Sequence, residues 1–376
     1  MKFSVQRDQF IRILSRAQGV VEKKSTIAVL SHVLIETVDK EAIKLTCTDY
    51  DVVLMDSCPA QVEQEGKAVV SGKLLYDIIK VLPSVDVSFE KADEERINLE
   101  AGKSKYRLSG FDPDDFPRIE KEDKEPAFTM PISAFRRMIA KTAFCMSNEE
   151  ARMNLNGILF DLRAEEKGMT FICVATDGHR LAKVEHFLEG KEIPTDIEGG
   201  VIVHRKGVHE VRKILDTETG DVSIGFSSGE VVFRAGNAAL FVREIDEEYP
   251  DYESVVPDSF DNQTTVDTAE LIEGMGRVLP LTDPTILTVK LTLKPEAVML
   301  SAANAQNGAG ETTVFAEYDG EEREIGFNHR YLLDSASAIE APQLYLRVSQ
   351  PGAPCLLVPA EENEKALYVL MPIDEV

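Results

Sequence analysis

The chain has 376 residues, 43% of them hydrophobic, which is too many for one ordinary core and predicts two or three domains. Acidic residues outnumber basic ones, 66 to 41, and that balance taken alone argues against nucleic acid as a partner. Five scattered cysteines with no CxxC pair argue against a disulfide framework or a zinc site, and they predict reduced, buried thiols. No stretch approaches the roughly 20 apolar residues that a membrane span needs. No membrane partner is therefore expected.

The opening segment 1-MKFSVQRDQFIRIL-14 alternates apolar and polar residues and carries charge early, unlike a secretory signal. A cytoplasmic protein is the expectation. The first predicted helix follows at 6–21, with Phe10, Leu14, Ala17 and Val21 at helical spacing. Strand patterns come next at 33-VLIETV-38 and 43-IKLTCTDYDVVLM-55, and then a second helical segment opens at 73-KLLYD-77. The stretch 111–128 is charged and Pro-bearing, as an interdomain connector should be. A helix at 131–146 comes after it, with Ser133 as its expected N-cap. Beyond lie strands at 157-GILFDL-162 and 170-TFICVATDGHRLAKVE-185, a helical segment from 206-KGVHE-210 and a strand at 231-VVFRAG-236. A second acidic, Pro-bearing connector spans 244–263. The last third offers a helix at 266–279, strands at 287-LTVKLTL-293 and 298–315, a helix from 330-RYLLD-334 and a strand at 366-ALYVLMP-372.

These elements recur. The first-helix patterns lie 125 and then 136 residues apart, and the base-aliphatic-acid marks KLLYD, KGVHE and RYLLD lie 133 and 124 apart. Thr48-Asp49, Thr176-Asp177 and Ala303-Asn304 fall at matching places, 128 and 127 residues apart. A fixed period of this length marks a repeat architecture. The sequence therefore predicts three tandem α+β domains, at 1–126, 127–257 and 258–376, each with two helices on antiparallel sheet. The charge excess is uneven: the last third holds 7 basic against 20 acidic residues.

The segment 175-ATDGHRLA-182 packs Asp177, Gly178, His179 and Arg180 together. On the repeat it is one copy of a strand end running into a turn, where Asp or Asn bonds nearby backbone. The rival reading, an enzyme with Asp177 and His179 as an acid–base pair, lacks support. No nucleophile elbow, phosphate-binding loop or metal signature occurs in the sequence. No catalytic residue, metal or cofactor is expected.

Taken together, MKFSV, SGKLLYDI, DFP, LNGILF, ATDGHRLA, VHRKGV, YPDYESVVP, EIGFNHRYLLD and YVLMP make the whole chain resemble the bacterial DNA sliding clamp family, the beta subunit of DNA polymerase III. The resemblance implies a head-to-tail homodimer whose two chains close a ring of six clamp domains around duplex DNA, bound without regard to sequence. The ring would tether the catalytic subunit of the replicative polymerase. It would be loaded by an ATP-dependent clamp loader and would also serve other polymerases and repair proteins that carry clamp-binding peptides. A repeat scaffold that binds peptides without encircling DNA is the alternative.

Three sets of residues follow. DNA-facing positions are Lys73, Lys80, Arg137, Lys141, Arg205, Lys206 and Arg212 on the predicted helices, with Lys24 and Arg152 on loops that the resemblance implies. Arg7, Arg12, Arg16 and Arg136 mark the same helix faces. Such a lining would attract phosphates without reading bases. The peptide pocket implied by the resemblance comprises Leu155, Thr176, Gly178, His179, Arg180, Leu181, Pro250, Val255, Val369, Leu370, Met371 and Pro372. In it His179 and Arg180 supply rim donors over an apolar floor, and Asp374 and Glu375 add charge beside it. The contact between copies is expected to join Leu74, Ile78, Tyr106 and Leu108 of one chain to Leu271, Pro280 and Leu281 of the other.

Overall fold

A computed structural model describes residues 1–22, 26–93, 95–121, 125–191, 200–227, 229–257, 259–283, 287–350 and 352–373. Lys24, Asp374 and Glu375 lie outside the described residues. Three structural repeats follow one another. The first runs β1 (Lys2–Gln6), α1 (Arg7–Ala17), β2 (His32–Thr37), β3 (Ala42–Thr48), β4 (Val52–Pro59), β5 (Gln61–Gln64), β6 (Lys67–Ser71), α2 (Gly72–Val81), β7 (Asp86–Lys91), β8 (Arg96–Ala101) and β9 (Ser104–Phe111). The second runs β10 (Phe128–Pro131), α3 (Ile132–Thr142), β11 (Gly157–Glu165), β12 (Gly168–Thr176), β13 (Arg180–Glu189), β14 (Val201–His204), α4 (Arg205–Leu215), β15 (Asp221–Ser227), β16 (Glu230–Ala235) and β17 (Ala238–Ile245). The third runs β18 (Asn262–Asp267), α5 (Thr268–Val278), β19 (Thr288–Lys294), β20 (Ala297–Asn304), β21 (Gly308–Glu317), β22 (Arg323–Asn328), α6 (His329–Ser337), β23 (Gln343–Val348), β24 (Cys355–Pro359) and β25 (Ala366–Leu370).

The chain divides into two compact units, 1–136 with 206–244 and 137–205 with 245–376, so the second repeat contributes to both. In the first unit the antiparallel ladders are β1–β7–β8–β9, β6–β2–β3–β4 and β10–β15–β16–β17. β4 pairs with β17, which carries the sheet from the first repeat into the second. In the second unit the ladders are β14–β11–β12–β13, β22–β19–β20–β21 and β18–β23–β24–β25. There β13 pairs with β25, the same relation one repeat later.

Helices form where one apolar face meets these sheets. α1 buries Phe10, Ile13, Leu14 and Ala17 and packs on α2 and β4. α5 buries Leu271, Met275 and Val278 against α6, β20 and β21. Side-chain caps start three helices: Ser71 accepts from the Leu74 amide, Asp267 from Glu270, and Asn328 from Arg330 and Tyr331. Ser133 is not a cap, because α3 begins at Ile132 and Ser133 lies in its first turn. α1 stops at Ala17, short of the expected Val21. All five cysteines are buried free thiols.

Candidate functional site

The turn that carries ATDGHR is built the same way in every repeat. Asp49 Oδ1 accepts the amides of Asp51 and Val52 at 3.1 and 2.7 Å, and Asp177 Oδ1 accepts those of His179 and Arg180 at 3.0 and 3.1 Å. Asn304 Oδ1 accepts those of Gln306 and Asn307 at 2.8 and 3.2 Å. The acid is a turn residue, as the repeat predicted. Position 178 favours glycine through its backbone, whose φ is +87°; a Cβ there would meet only Arg152 Nη1 at 2.8 Å, the end of an exposed side chain that can move aside. The matching residue of the first repeat is Tyr50, held at φ +78° and exposed.

β13 leaves this turn and pairs with the last strand, Arg180 opposite Leu370 and Leu181 opposite Val369. The Met371 amide then donates to the His179 carbonyl at 2.9 Å. Two stretches nearly 200 residues apart are thereby joined at one edge. Beneath it Leu181 and Val369 share an apolar cluster with Leu159, Ile172, Val174, Ile202, Tyr252 and Leu356, and Tyr249, Val256 and Phe260 pack against it. Above it Met371 and Val255 are each 42% exposed and His179 is open to solvent. Thr176 is half-buried, and its hydroxyl donates to the Arg180 carbonyl at 2.7 Å. Leu155 is buried at the end of a 3-10 turn, Pro250 is exposed and Pro372 half-buried. Leu370 is buried, so its contribution is to the strand pairing.

Arg180 is not a rim donor. It is 8% exposed, and its guanidinium is fully engaged: Nε with Asp177 at 3.1 Å, Nη1 with Asp334 at 2.8 Å and Nη2 with the Phe144 carbonyl at 2.5 Å. It lies over the Tyr331 ring at 4.3 Å. Burial would drain its charge, but the two carboxylates and the planar fit retain it. Arg180 is thus the tie between β13 and α6. Its partners Asp334 and Tyr331 were visible in the sequence only as the register mark RYLLD, and Phe144 carried no signal.

The basic residues separate into two groups. Lys73 and Lys80 on α2, Arg136 and Arg137 on α3, and Arg212 on α4 are exposed. Arg152 is also exposed and pairs with Glu149 at 3.3 Å. Arg205 is half-buried and donates to Asn148 at 2.7 Å. One expectation fails: Lys141 is buried and paired with Glu364, so it neutralises an internal carboxylate and offers no free charge to DNA. Lys206 is half-buried and paired with Asp49. Arg12 and Arg16 are likewise spent, both on Glu218, at 2.9 and 2.5 Å. Helical spacing identified the basic face but could not show which bases meet an acid from a distant segment.

Of the expected copy–copy contacts, Leu74 and Pro280 are exposed and Ile78, Tyr106 and Leu281 half-buried. Leu108 (6% exposed) and Leu271 (1%) belong to the cores of their own repeats and offer no free surface. Among the described residues no cluster of His, Cys, Asp or Glu suits a metal ion, and no helix is long and apolar enough to cross a membrane.

Comparisons with known proteins cover the whole chain. Residues 1–120, 129–251 and 253–374 match the N-terminal, central and C-terminal domains of the DNA polymerase III beta subunit. The beta sliding clamp of Caulobacter vibrioides is 34% identical over 377 residues, covering 99% of this chain and 100% of that protein. The Bacillus subtilis beta sliding clamp is 28% identical over 385 residues, covering 99% of each. Among solved structures, the sliding clamp of Bartonella birtlesii bound to griselimycin superposes with a TM-score of 0.93 at 32% identity, over 100% of both chains. The DNA polymerase sliding clamp of Pseudomonas aeruginosa gives 0.88 at 32% identity over 99% of both. With three matching domains in order and relatives matched from end to end, the chain belongs to the DNA polymerase III beta subunit family, the beta sliding clamps.

Proposed function

We propose that this DNA sliding clamp works as a head-to-tail homodimer that encircles duplex DNA and tethers the replicative polymerase, without catalysis of its own. The supporting observation is the repeated strand pairing. β4 meets β17 and β13 meets β25, but the corresponding strands at the ends of the series, β9 and β21, have largely open outer edges among the described residues. An open edge is a template for pairing. A second copy offers each edge the partner that the repeat calls for, and a heterologous contact of this kind closes if the rotation allows. The proposed boundaries remain 1–126, 127–257 and 258–376.

Lys73, Lys80, Arg137, Arg152, Arg205 and Arg212 are the proposed DNA contacts. They are weak and sequence-blind, as sliding requires, because a ring holds by topology and not by affinity. The proposed peptide site is the edge formed by His179, Val255, Met371 and Pro372 over Leu181 and Val369. It suits an extended apolar peptide from the polymerase, the ATP-dependent loader or repair proteins. The scaffold reading without encirclement is not favoured, since the full-length relatives are sliding clamps.

The test is topological. The protein is loaded on nicked circular DNA with a clamp loader and ATP, free protein is removed, and the circle is cut once. Release on linearisation supports encirclement. Retention on the linear product would mean an ordinary grip and would end the ring reading.

A further inference from the structure

The three repeats align through their backbone. The amides of Arg7, Ile132 and Thr268 donate to the carbonyls of Val85, Gly220 and Pro342 at 3.2, 2.9 and 2.9 Å. This register equates Arg16 with Lys141 and Arg277, Arg12 with Arg137 and Glu273, and Pro83 with Glu218 and Glu340. The Asx turns equate Asp49 with Asp177 and Asn304. Equivalent positions can therefore be compared at each junction between successive repeats.

At the first junction Arg16, 2% exposed, holds Asp56 of its own repeat at 2.8 Å and Glu218 of the next at 2.5 Å. Arg12 adds a second contact to Glu218, and Asp49 holds Lys206 at the head of α4. At the second junction Lys141 pairs with Glu364 and lies 3.7 Å from Glu340, and Arg137 pairs with Glu340. Asp177 reaches α6 through Arg180 and Asp334. Both internal junctions thus carry a buried cation from the first helix of one repeat, answered by a glutamate from the next, and a turn aspartate tied toward the second helix.

The third repeat has no successor in the chain, so its neighbour would be the first repeat of a second copy. There the two cations remain, but their acidic partners are replaced and each is paired on its own helix. Arg277 is paired with Glu273 on its own helix at 3.2 Å, and both are exposed. Pro83 stands where Glu218 and Glu340 stand. Asn304 replaces the aspartate, and its oxygen is spent within the turn. Lys73, the counterpart of Lys206, pairs with Asp77 on its own helix at 3.4 Å.

We infer that buried ion pairs at the two internal junctions lock successive repeats of one copy together, and that the substitutions Pro83, Glu273 and Asn304 leave the copy–copy junction unlocked. The inference rests on the ring reading for its second half only. Breaking one partner of a buried pair leaves an uncompensated charge and is strongly destabilising, whereas exposed intrahelical pairs contribute little. A chain so built parts between copies before it bends within one.

Two measurements test it. In the full chain, Glu218→Gln and Glu364→Gln should speed hydrogen exchange of the β4–β17 and β13–β25 amides respectively by about tenfold, with subunit exchange little changed. Grafting the lock at the seam with Pro83→Glu, Glu273→Arg and Asn304→Asp should slow exchange between fluorescently labelled copies by about tenfold or more. If the triple variant is poorly folded, Pro83→Glu with Glu273→Arg alone should still slow it. Unchanged amide exchange in both glutamine variants, or copies that exchange as fast with the grafted lock as without, overturns the inference. If the parent protein sediments as a monomer at micromolar concentration, the ring reading falls instead, and the amide measurement still decides the internal locks.

Discussion

The Met371 amide donates to the carbonyl of His179 at 2.9 Å, fixing an exposed thioether beside an exposed imidazole at the end of the β13–β25 ladder. Both side chains stand clear of the apolar cluster beneath. Met371→Ala removes contact surface while leaving the backbone bond in place, so folding should be unaffected. An extended clamp-binding peptide should lose about 1–2 kcal/mol, roughly ten- to thirtyfold in Kd, by fluorescence anisotropy. His179→Ala should weaken the same peptide with no change in melting temperature. Unaltered affinity in both would remove this edge as the docking site.

Arg180 behaves differently because its work is internal. Arg180→Ala leaves Asp177 and Asp334 facing each other with no cation between them. It also strips the Tyr331 and Phe144 rings of their cation. Thermal denaturation should show a loss of about 3–5 kcal/mol. Peptide affinity should fall only through that disturbance. A variant that keeps its stability and loses only peptide binding would restore Arg180 to the rim.

The repeats were legible because they rest on local signals. Apolar spacing gave the first helix of each repeat, though α1 and α3 end four residues short of the expected ends. The base-aliphatic-acid marks gave the second helices, and the recurring Asp or Asn gave the three turns before any strand was paired. Long-range satisfaction was not legible. Lys141 reads as an exposed base at helical spacing, and only the fold brings Glu364, 223 residues away, to cover it. Leu271 and Leu108 look like surface anchors for the same reason. Periodicity says that one face is buried but not whether a domain or a partner buries it. Ser133 failed as a cap because β10 runs straight into α3 at Ile132, one residue earlier.

The separation of bases into exposed and spent predicts two classes of variant. Charge reversal at Lys73, Lys80 or Arg212 should leave the melting temperature within a degree or two. Each should also lower the slope of log affinity for duplex DNA against log salt by about 0.9 or less. Lys206→Glu should instead place a second acid beside Asp49 and destabilise the fold. Equal effects of both classes on stability would mean that the exposed set is also structural.

Burial pushes the thiols of Cys58 and Cys355 up to about 12, and raises those of Cys47, Cys145 and Cys173 further above the usual range. In the unfolded chain a thiol ionises at about 8.5, well below these values. The folded state therefore holds these protons more tightly. The stabilisation is complete below pH 8.5 and declines as pH rises toward 12. Native protein at pH 8 should resist iodoacetamide, and protein in denaturant should take up five equivalents by mass spectrometry. Rapid labelling of the native protein would contradict this burial.

The strand edges make the most specific prediction. Met55 lies opposite Ala239 in β4–β17 and opposite Thr46 in β3–β4. Thr46 corresponds to Ser301, and the residue opposite Ser301 is Glu311 on the open edge of β21. Ala239 follows the hairpin closed by Ala235 and Ala238, and the matching hairpin closed by Ala101 and Ser104 is followed by Lys105 on β9. The repeat therefore places Glu311 of one copy directly opposite Lys105 of another, an opposite-charge pair across an antiparallel ladder. Directly opposed Cα atoms lie about 4.5–5.5 Å apart, within reach of a disulfide. A Lys105→Cys/Glu311→Cys chain should form covalent dimers and closed rings under mild oxidation, seen on non-reducing gels. Lys103→Cys with Glu311→Cys, two residues out of register, should form few. Raised salt should weaken the uncrosslinked dimer, since the charges it screens lie on strand edges. Efficient crosslinking of the offset pair and none of the aligned pair would show that the copies do not continue the pairing rule found inside the chain.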